Sequence, residues 1–489
     1  MPYGAKIAKN AAWLMFATAG QKLVAFFAFI IVARLLGKEL TGVFFYAVSV
    51  TSIFVILSDL GMTPVVIRAI AGGRTDGARL FGAAIRAKLC LAPIAIIAAL
   101  VYALAFGADK TTLITVAIAC LVMTADTVHL VLYGALRGRQ NLRPEALGMF
   151  VGQILTAIFS VGAAVLGFGP IGLAVALLVG SSWNVFWSAR QTVKLKVPIE
   201  TPLLKDYKRL AKEALPFGIA GLSVKVYSYV DSLFLNVYHG SAAVGLYAVA
   251  YKLTYALQFL PITFTAALYP ALASAYAKKE KDELRNIFLG SLRLMAAIGF
   301  PISAGLSALA PDIIPLLYGQ DFVGAIAAFQ ILPWVLLPIF LDFPIGALLN
   351  GTNRAHLKTI AMVVTMIVNI VLNAILVPKF GPVGAAWAGV ASFWCLYLIG
   401  AYFTREYAGG VIGFVSITLR GLAAAGVSWY AWQTSVVYMP LFASMVFGAA
   451  VALIMGFVVR FIRWDDMKLI VDIFRKTKNV GPRTSGAGP

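Results

Sequence analysis

The chain has 489 residues, 61% hydrophobic and only 12% charged, with a mean hydropathy of +0.89, so too few polar side chains are present to cover a soluble globular surface. Forty Lys and Arg stand against twenty Asp and Glu, a net charge of +20; the basic residues fall in short alternate loops rather than along one face, which reads as membrane topology and argues against a nucleic-acid partner. Cys90, Cys120 and Cys395 sit inside apolar stretches without the spacing of a metal site or disulfide framework, and no G-x-x-x-x-G-K-[ST] loop, H-E-x-x-H motif or sizeable soluble segment offers a cofactor site or catalytic chemistry.

About 20 apolar residues cross a bilayer core as a helix. That length predicts spans 1 to 6 near 12–36, 40–61, 82–106, 112–136, 146–167 and 170–190, and spans 7 to 12 near 214–238, 243–275, 286–310, 322–350, 358–377 and 383–404. Spans 13 and 14 follow near 411–432 and 438–460. The first stretch exceeds the ~7–15 apolar residues of a cleaved leader and is read as a permanent span. Even-numbered connections carry the positive charge, among them Arg68, Arg74, Arg79, Arg137, Arg139, Arg143, Lys205, Lys208, Arg209 and Lys212, whereas odd ones hold little beyond Lys38, Lys110 and Lys379. The positive-inside rule then places both termini in the cytoplasm, and the basic, Gly- and Pro-containing end of the tail from about Lys478 is expected to be disordered.

The chain repeats. A shift of 203 residues lays Lys22 on Lys225, Gly37 on Gly240, Gly42 on Gly245 and Ala47 on Ala250, and a shift of 212 lays Phe168-Gly169-Pro170-Ile171-Gly172 on Phe380-Gly381-Pro382-Val383-Gly384. Each copy holds six spans, an even number, so both enter the membrane in the same sense. The expected architecture is an all-α polytopic protein of about fourteen helices, two parallel six-helix repeats plus two C-terminal helices. Its units are an N-lobe at 1–200, a C-lobe at 201–405, the extra helices at 406–461 and a cytoplasmic tail at 462–489.

An ionisable side chain near a helix centre costs roughly 2.5–3.5 kcal/mol on insertion scales, so each one needs a reason. Lys22 and Lys225 lie about ten residues into spans 1 and 7, near mid-depth, and are expected to face each other across a cavity between the lobes as substrate-binding charges. Lys252 in span 8 is the next candidate. Arg86 and Lys88 lie early in span 3 and read as snorkelling side chains. Asp59, Asp126, Asp231 and Asp342 are the acidic candidates; two readings stand for them, static pairing with the lysines or binding of a Na⁺ or proton whose gradient drives transport. His129, one turn from Asp126, reads as a proton relay or a satisfied polar residue. Pro333, Pro338 and Pro344 predict a bent span 10, and Trp13, Trp183, Trp187, Trp334 and Trp464 read as interfacial anchors.

Several short segments carry a resemblance. They are Ala33-Arg34-Leu35-Leu36-Gly37 with Gly42, Ser58-Asp59-Leu60-Gly61, Asp231, Val244-Gly245-Leu246-Tyr247 with Tyr251-Lys252-Leu253, Tyr269-Pro270-Ala271-Leu272, and Asn369-Ile370-Val371-Leu372-Asn373 leading to Phe380-Gly381-Pro382. In these the sequence resembles the polysaccharide transporter family, the O-antigen and exopolysaccharide flippases of the multidrug/oligosaccharidyl-lipid/polysaccharide superfamily. The resemblance implies a multi-pass protein of the cytoplasmic (inner) membrane, not an enzyme. It implies turnover of a polyprenyl-diphosphate-linked oligosaccharide by alternating access for surface polysaccharide biosynthesis, monomeric function among membrane lipids, and glycosyltransferases or a polysaccharide polymerase as neighbours. In the related lipid II flippases the extra spans form a groove for the lipid tail, which by similarity falls to 411–460 here; their cavity is arginine-rich where this one has lysines. A multidrug or cation antiporter of the same superfamily and a non-transporting scaffold for glycosyltransferases remain as alternatives.

Overall fold

The computed structural model describes residues 3–461, with side chains from Ala17 onward; the tail at 462–489, Trp464 and the side chain of Trp13 lie outside the described residues. Among the described residues the secondary structure is helical, without a strand, and eleven stretches are long and apolar enough to cross a membrane. Three of these exceed one crossing: Ala17–Asp59 has 43 residues, Leu204–Ala277 has 74 and Ala355–Ala408 has 54. At ~1.5 Å per residue even 43 residues make about twice the ~30 Å hydrocarbon core. Each is broken at a glycine whose backbone leaves the helix, Gly37 (φ 74°, ψ 176°), Gly240 (φ 74°, ψ −179°) and Gly381 (φ 53°, ψ −132°). Each therefore crosses twice, which makes fourteen spans: the protein is an all-α polytopic membrane protein of two parallel six-helix repeats and two further helices.

Gly37 and Gly240 share a conformation that essentially only glycine adopts, and they are equivalent at the 203-residue shift. The repeat is thus visible in backbone geometry. Their neighbours Gly42 and Gly245 make the crossing point of the two copies. A Cβ on Gly42 would stand 1.8 Å from the carbonyl oxygen of Ser241, and a Cβ on Gly245 would stand 1.8 Å from that of Lys38. Ser241 and Lys38 are themselves equivalent at the same shift, so the contact is reciprocal, as at a twofold axis. Here helices touch backbone to backbone, the closest approach that small residues allow.

The helix holding spans 1 and 2 packs against the one holding spans 7 and 8, the latter also against spans 11 and 12; span 6 packs on spans 4 and 5, and spans 13 and 14 pack on span 9 and on each other. Two short helices join this scheme without crossing. Met62–Ala71 follows span 2 and buries Met62, Val65, Val66 and Ala69 on one face, leaving Arg68 on the other. Ala310–Tyr318 follows span 9. Span 10 leaves the α-helix at one of its three prolines: it runs as 3₁₀ turns over Gln320–Ala325 and Leu332–Val335, the second around Pro333, whereas Pro338 and Pro344 lie within the α-helix Leu336–Gly351. Trp187 donates to the Pro144 carbonyl at 2.8 Å and Trp334 to the Ser307 hydroxyl at 3.2 Å, so both rings tie helices together.

At the end of the bundle carrying the basic connections, charges are arranged as a lattice. Arg74 reaches Asp76 at 3.0 Å and Glu213 at 3.0 Å, Arg209 reaches Asp76 at 2.7 Å and Glu213 at 2.8 Å, and Arg79 lies 3.3 Å from Asp206. It joins the connection after span 2 to the helical turns before span 7. The hydrogen-bonded guanidinium of Arg74 holds the Asp76 carboxyl below the usual carboxylate range.

Two outcomes follow from these contacts. Gly245→Ala forces a methyl into a carbonyl and overpacks the crossing, at a cost of ~1–3 kcal/mol; the thermal unfolding midpoint of the purified protein should fall, and an unchanged midpoint would mean the copies part there freely. Because the folded-state pKa of Asp76 is depressed, its contribution to stability is complete above the ordinary aspartate value of about 3.9 and is lost as pH falls through the depressed value. Asp76→Asn should therefore lower the midpoint at neutral pH by a margin that shrinks on acidification below that value; a margin independent of pH would show that the lattice does not depend on the carboxylate.

Candidate functional site

Two cavities open within the bundle, one among the spans of each repeat. The smaller, about 460 Å³, is walled by spans 1, 2, 4, 5 and 6 and closed on one side by Lys225 of span 7. The larger, about 1110 Å³, is walled by spans 7, 8, 10, 11 and 12, and its lining includes Arg68, Asn350 and Asn353 from the basic end. Among the four acidic candidates, Asp59 and Asp126 line the first, Asp342 lines the second, and Asp231 is sealed between helices beside it.

In the smaller cavity Asp126 accepts a hydrogen bond from Ser181 Oγ at 2.6 Å and lies 3.1 Å from His129 Nε2. Asp59 is paired with Lys88, whose side chain has no exposed surface and also reaches Thr63 Oγ1 at 3.3 Å. This corrects the snorkelling reading of Lys88, because a helix that starts at Gly77 puts Lys88 three turns inside the bundle. Removing Asp59 would leave the enclosed Lys88 ammonium without its carboxylate, so the two form a structural pair. Asp342 is likewise paired, 2.5 Å from Lys358 Nζ through each carboxylate oxygen. Sequence reasoning misses Lys88 and Lys358 as partners, since their carboxylates lie 29 and 16 residues away and no local pattern announces them.

The three lysine candidates differ from these. Among the described residues, none of Lys22, Lys225 and Lys252 makes an ion pair. Lys225 Nζ lies 5.7 Å from the Tyr229 ring centroid and within electrostatic reach of Asp126 and Asp59. Lys252 Nζ lies 5.6 Å from the ring centroids of Phe29 and Phe45, in spans 1 and 2, and within electrostatic reach of Lys22. Lys22 thus has Lys252 as its charged neighbour, while Lys225 belongs to the smaller cavity. Neither Lys22 nor Lys252 lines either cavity, so the expected facing of Lys22 and Lys225 across one cavity is not found: the equivalent lysines of the two copies have unlike surroundings.

Asp231 is 3% exposed and meets only neutral donors: Tyr247 Oη at 2.6 Å and Asn373 Nδ2 at 2.8 Å. Asn373 Nδ2 also contacts Asn369 Oδ1 at 3.2 Å, and Asn369 donates to Ser392 Oγ at 3.1 Å. Asn373 Oδ1 is buried without a partner among the described residues. The Asn373 amide N–H group thus stands between the Asp231 carboxylate and the Asn369 side-chain oxygen at a buried point between spans 7, 8 and 11, with its own oxygen left unpartnered. Asn369 and Asn373 carry no charge, so a search for intramembrane charge passes over them. A separate apolar groove of about 480 Å³ runs between span 9 and spans 13 and 14, lined by Ile298, Pro301, Leu306, Trp432, Met445 and Leu453 among others.

The chain is 24% identical over 408 residues to the probable low-salt glycan biosynthesis flippase Agl15 of Haloferax volcanii, a match covering 81% of this chain and 83% of that one. It is 22% identical over 398 residues to the lipid II flippase MurJ of Bacillus subtilis, covering 71% and 73%. Among solved structures, the inward closed conformation of the lipid II flippase MurJ aligns with a TM-score of 0.74 at 16% identity, covering 91% of this chain and 98% of that one. The MatE family model matches residues 216–375. The family model described as polysaccharide biosynthesis protein matches residues 7–276, more than half of the chain. The chain belongs to that polysaccharide biosynthesis protein family.

Proposed function

We propose that the protein is a flippase that carries a polyprenyl-diphosphate-linked oligosaccharide across the cytoplasmic membrane by alternating access, for surface polysaccharide biosynthesis. The observation that carries this reading is the lysine set: Lys252 Nζ lies 5.6 Å from the ring centroid of Phe29, on the span that carries Lys22, and neither lysine makes an ion pair among the described residues. Like charges held together in a membrane protein raise each other's energy, and a diphosphate relieves both at once. Lysine ammonium groups act as point charges, which suits a group that must be released on the far side. The same charges repel an organic cation, which sets the antiporter alternative behind.

By the positive-inside rule the basic end faces the cytoplasm, so the larger cavity, with Asn350 and Asn353 at its rim, receives substrate from the side where lipid-linked sugars are assembled. The apolar groove beside spans 13 and 14 offers the polyprenyl chain a surface continuous with lipid. Passage outward requires the Gly42 and Gly245 crossing at the opposite end to separate and the ion-pair lattice at the basic end to hold.

Asp231 is the coupling group in this reading. A proton on the carboxylate would neutralise it, and a Na⁺ would need the Asn373 amide to turn so that its unpartnered oxygen joins those of Asp231 and Asn369. Either ion would be transported cargo.

Native mass spectrometry with a bare polyprenyl diphosphate tests the charge site: Lys22→Gln with Lys252→Gln should weaken binding by about tenfold or more, whereas Lys→Arg at both positions should retain it. Equal binding by wild type and the glutamine variant would overturn the assignment. For coupling, Na⁺ replacing K⁺ should raise the unfolding midpoint of wild type but not of Asp231→Asn, as expected of an ion that binds only the folded state. A wild-type midpoint that responds to acidification and not to Na⁺ would assign the proton instead, and one that responds to neither would remove Asp231 from the mechanism.

A further inference from the structure

We infer that the larger cavity is a saccharide subsite whose wall is a shelf of tyrosines on span 8, an assignment that rests on the flippase reading and goes beyond it by placing the sugars. Tyr247, Tyr251 and Tyr255 recur every four residues and so share one face of the helix. Tyr247 is committed to Asp231. Tyr251 and Tyr255 stack with ring centroids 4.1 Å apart at 22°, and both line the cavity. Phe393 of span 12 extends the wall, 6.2 Å from Tyr255 and 5.4 Å edge-on from Tyr227 of span 7.

These rings differ from ordinary packed aromatics in what they face. Protein interiors are close-packed with few voids larger than a water molecule, yet this wall borders about 1110 Å³. Pockets of ~300–1,000 Å³ hold drug-sized molecules, so there is room for several sugar rings. A pyranose has an apolar face of polarised C–H bonds and a rim of hydroxyls. The negative face of a tyrosine ring meets the first, and planar amides and ionised groups meet the second. The cavity supplies that rim from Gln258, Asn350 and Asn353 and from the Asp342–Lys358 pair, whose carboxylate and ammonium keep hydrogen-bonding capacity beyond their mutual contact.

Other occupants fit less well. A polyprenyl tail would leave these polar groups without partners, and the groove beside span 14 is the apolar alternative. An organic cation would meet Arg68 and Lys358, with the carboxylate of Asp342 already engaged. The sugar therefore sits among spans 7, 8, 10 and 12, and the diphosphate is left to Lys22 and Lys252, which lie outside that cavity's lining.

The test compares two ligands of the full-length protein in lipid nanodiscs: the lipid-linked oligosaccharide extracted from the cells that make the protein, and the matching bare polyprenyl diphosphate. Wild type should bind the sugar-bearing lipid about tenfold more tightly than the bare one. Tyr255→Ala should remove most of that preference while leaving affinity for the bare lipid unchanged, and Tyr255→Phe, which keeps the ring, should preserve it. Equal wild-type affinity for both lipids, or an equal loss of both in Tyr255→Ala, would overturn the subsite and leave the flippase reading standing. Failure of wild type to bind either lipid would overturn the flippase reading and the subsite with it.

Discussion

An ionised side chain inside a bilayer must find a partner, and the distribution of partners organises this protein. Lys88 has Asp59 and Lys358 has Asp342, pairs between helices in which Lys88 is enclosed and the other three groups are half-buried at a cavity wall. Lys22, Lys225 and Lys252 have no such carboxylate among the described residues. Pairing therefore separates the intramembrane cations that have a fixed carboxylate partner from those whose charge is left for a ligand. Depth alone does not separate them: Lys88 has less exposed surface than any of the three unpaired lysines.

Backbone contact at glycine performs a second division, between what is rigid and what can move. Gly37 and Gly240 turn the chain in a conformation closed to other residues, and five residues later Gly42 and Gly245 let the two copies meet through their carbonyls. A contact made of backbone has no side chain to reorient, so it is either made or broken. That is the bistable behaviour alternating access requires of an end that closes. At the basic end the copies meet differently, through Arg74, Asp76, Arg209 and Glu213, whose long side chains can follow a tilt without parting.

Legibility in the sequence follows the physics of each signal. Hydrophobic length locates fourteen spans, and the two repeat offsets locate the glycine turns, because both signals extend over many residues. Gly37, Gly240 and Gly381 break their helices with almost no loop between the spans, yet the apolar sequence on either side is long enough for two crossings, so the count survives the short connections. Lys88 is misread from sequence because hydropathy starts span 3 at residue 82 whereas the helix starts at Gly77, which moves the lysine toward the interface. Asn369 and Asn373 enter the sequence reading only through family resemblance, since an amide carries no charge to flag its depth. The tyrosine shelf is silent because aromatics in apolar helices are ordinary; only the space in front of them distinguishes Tyr251 and Tyr255 from packed core.

Span 7 connects these parts. Lys225 faces the smaller cavity, Tyr227 and Ser228 face the larger one, and Asp231 lies a turn farther along, bound to Tyr247 at the head of the tyrosine shelf. One helix is thus a wall of both cavities and the anchor of the proposed ion site. Neutralising Asp231 changes its hold on Tyr247 and Asn373, which are the attachments of span 7 to spans 8 and 11. A shift of span 7 would then alter the wall that Lys225 presents to one cavity and the wall that Tyr227 presents to the other. Coupling between ion and substrate needs no long relay in this arrangement, because the groups involved are six residues apart on a single helix that both cavities share.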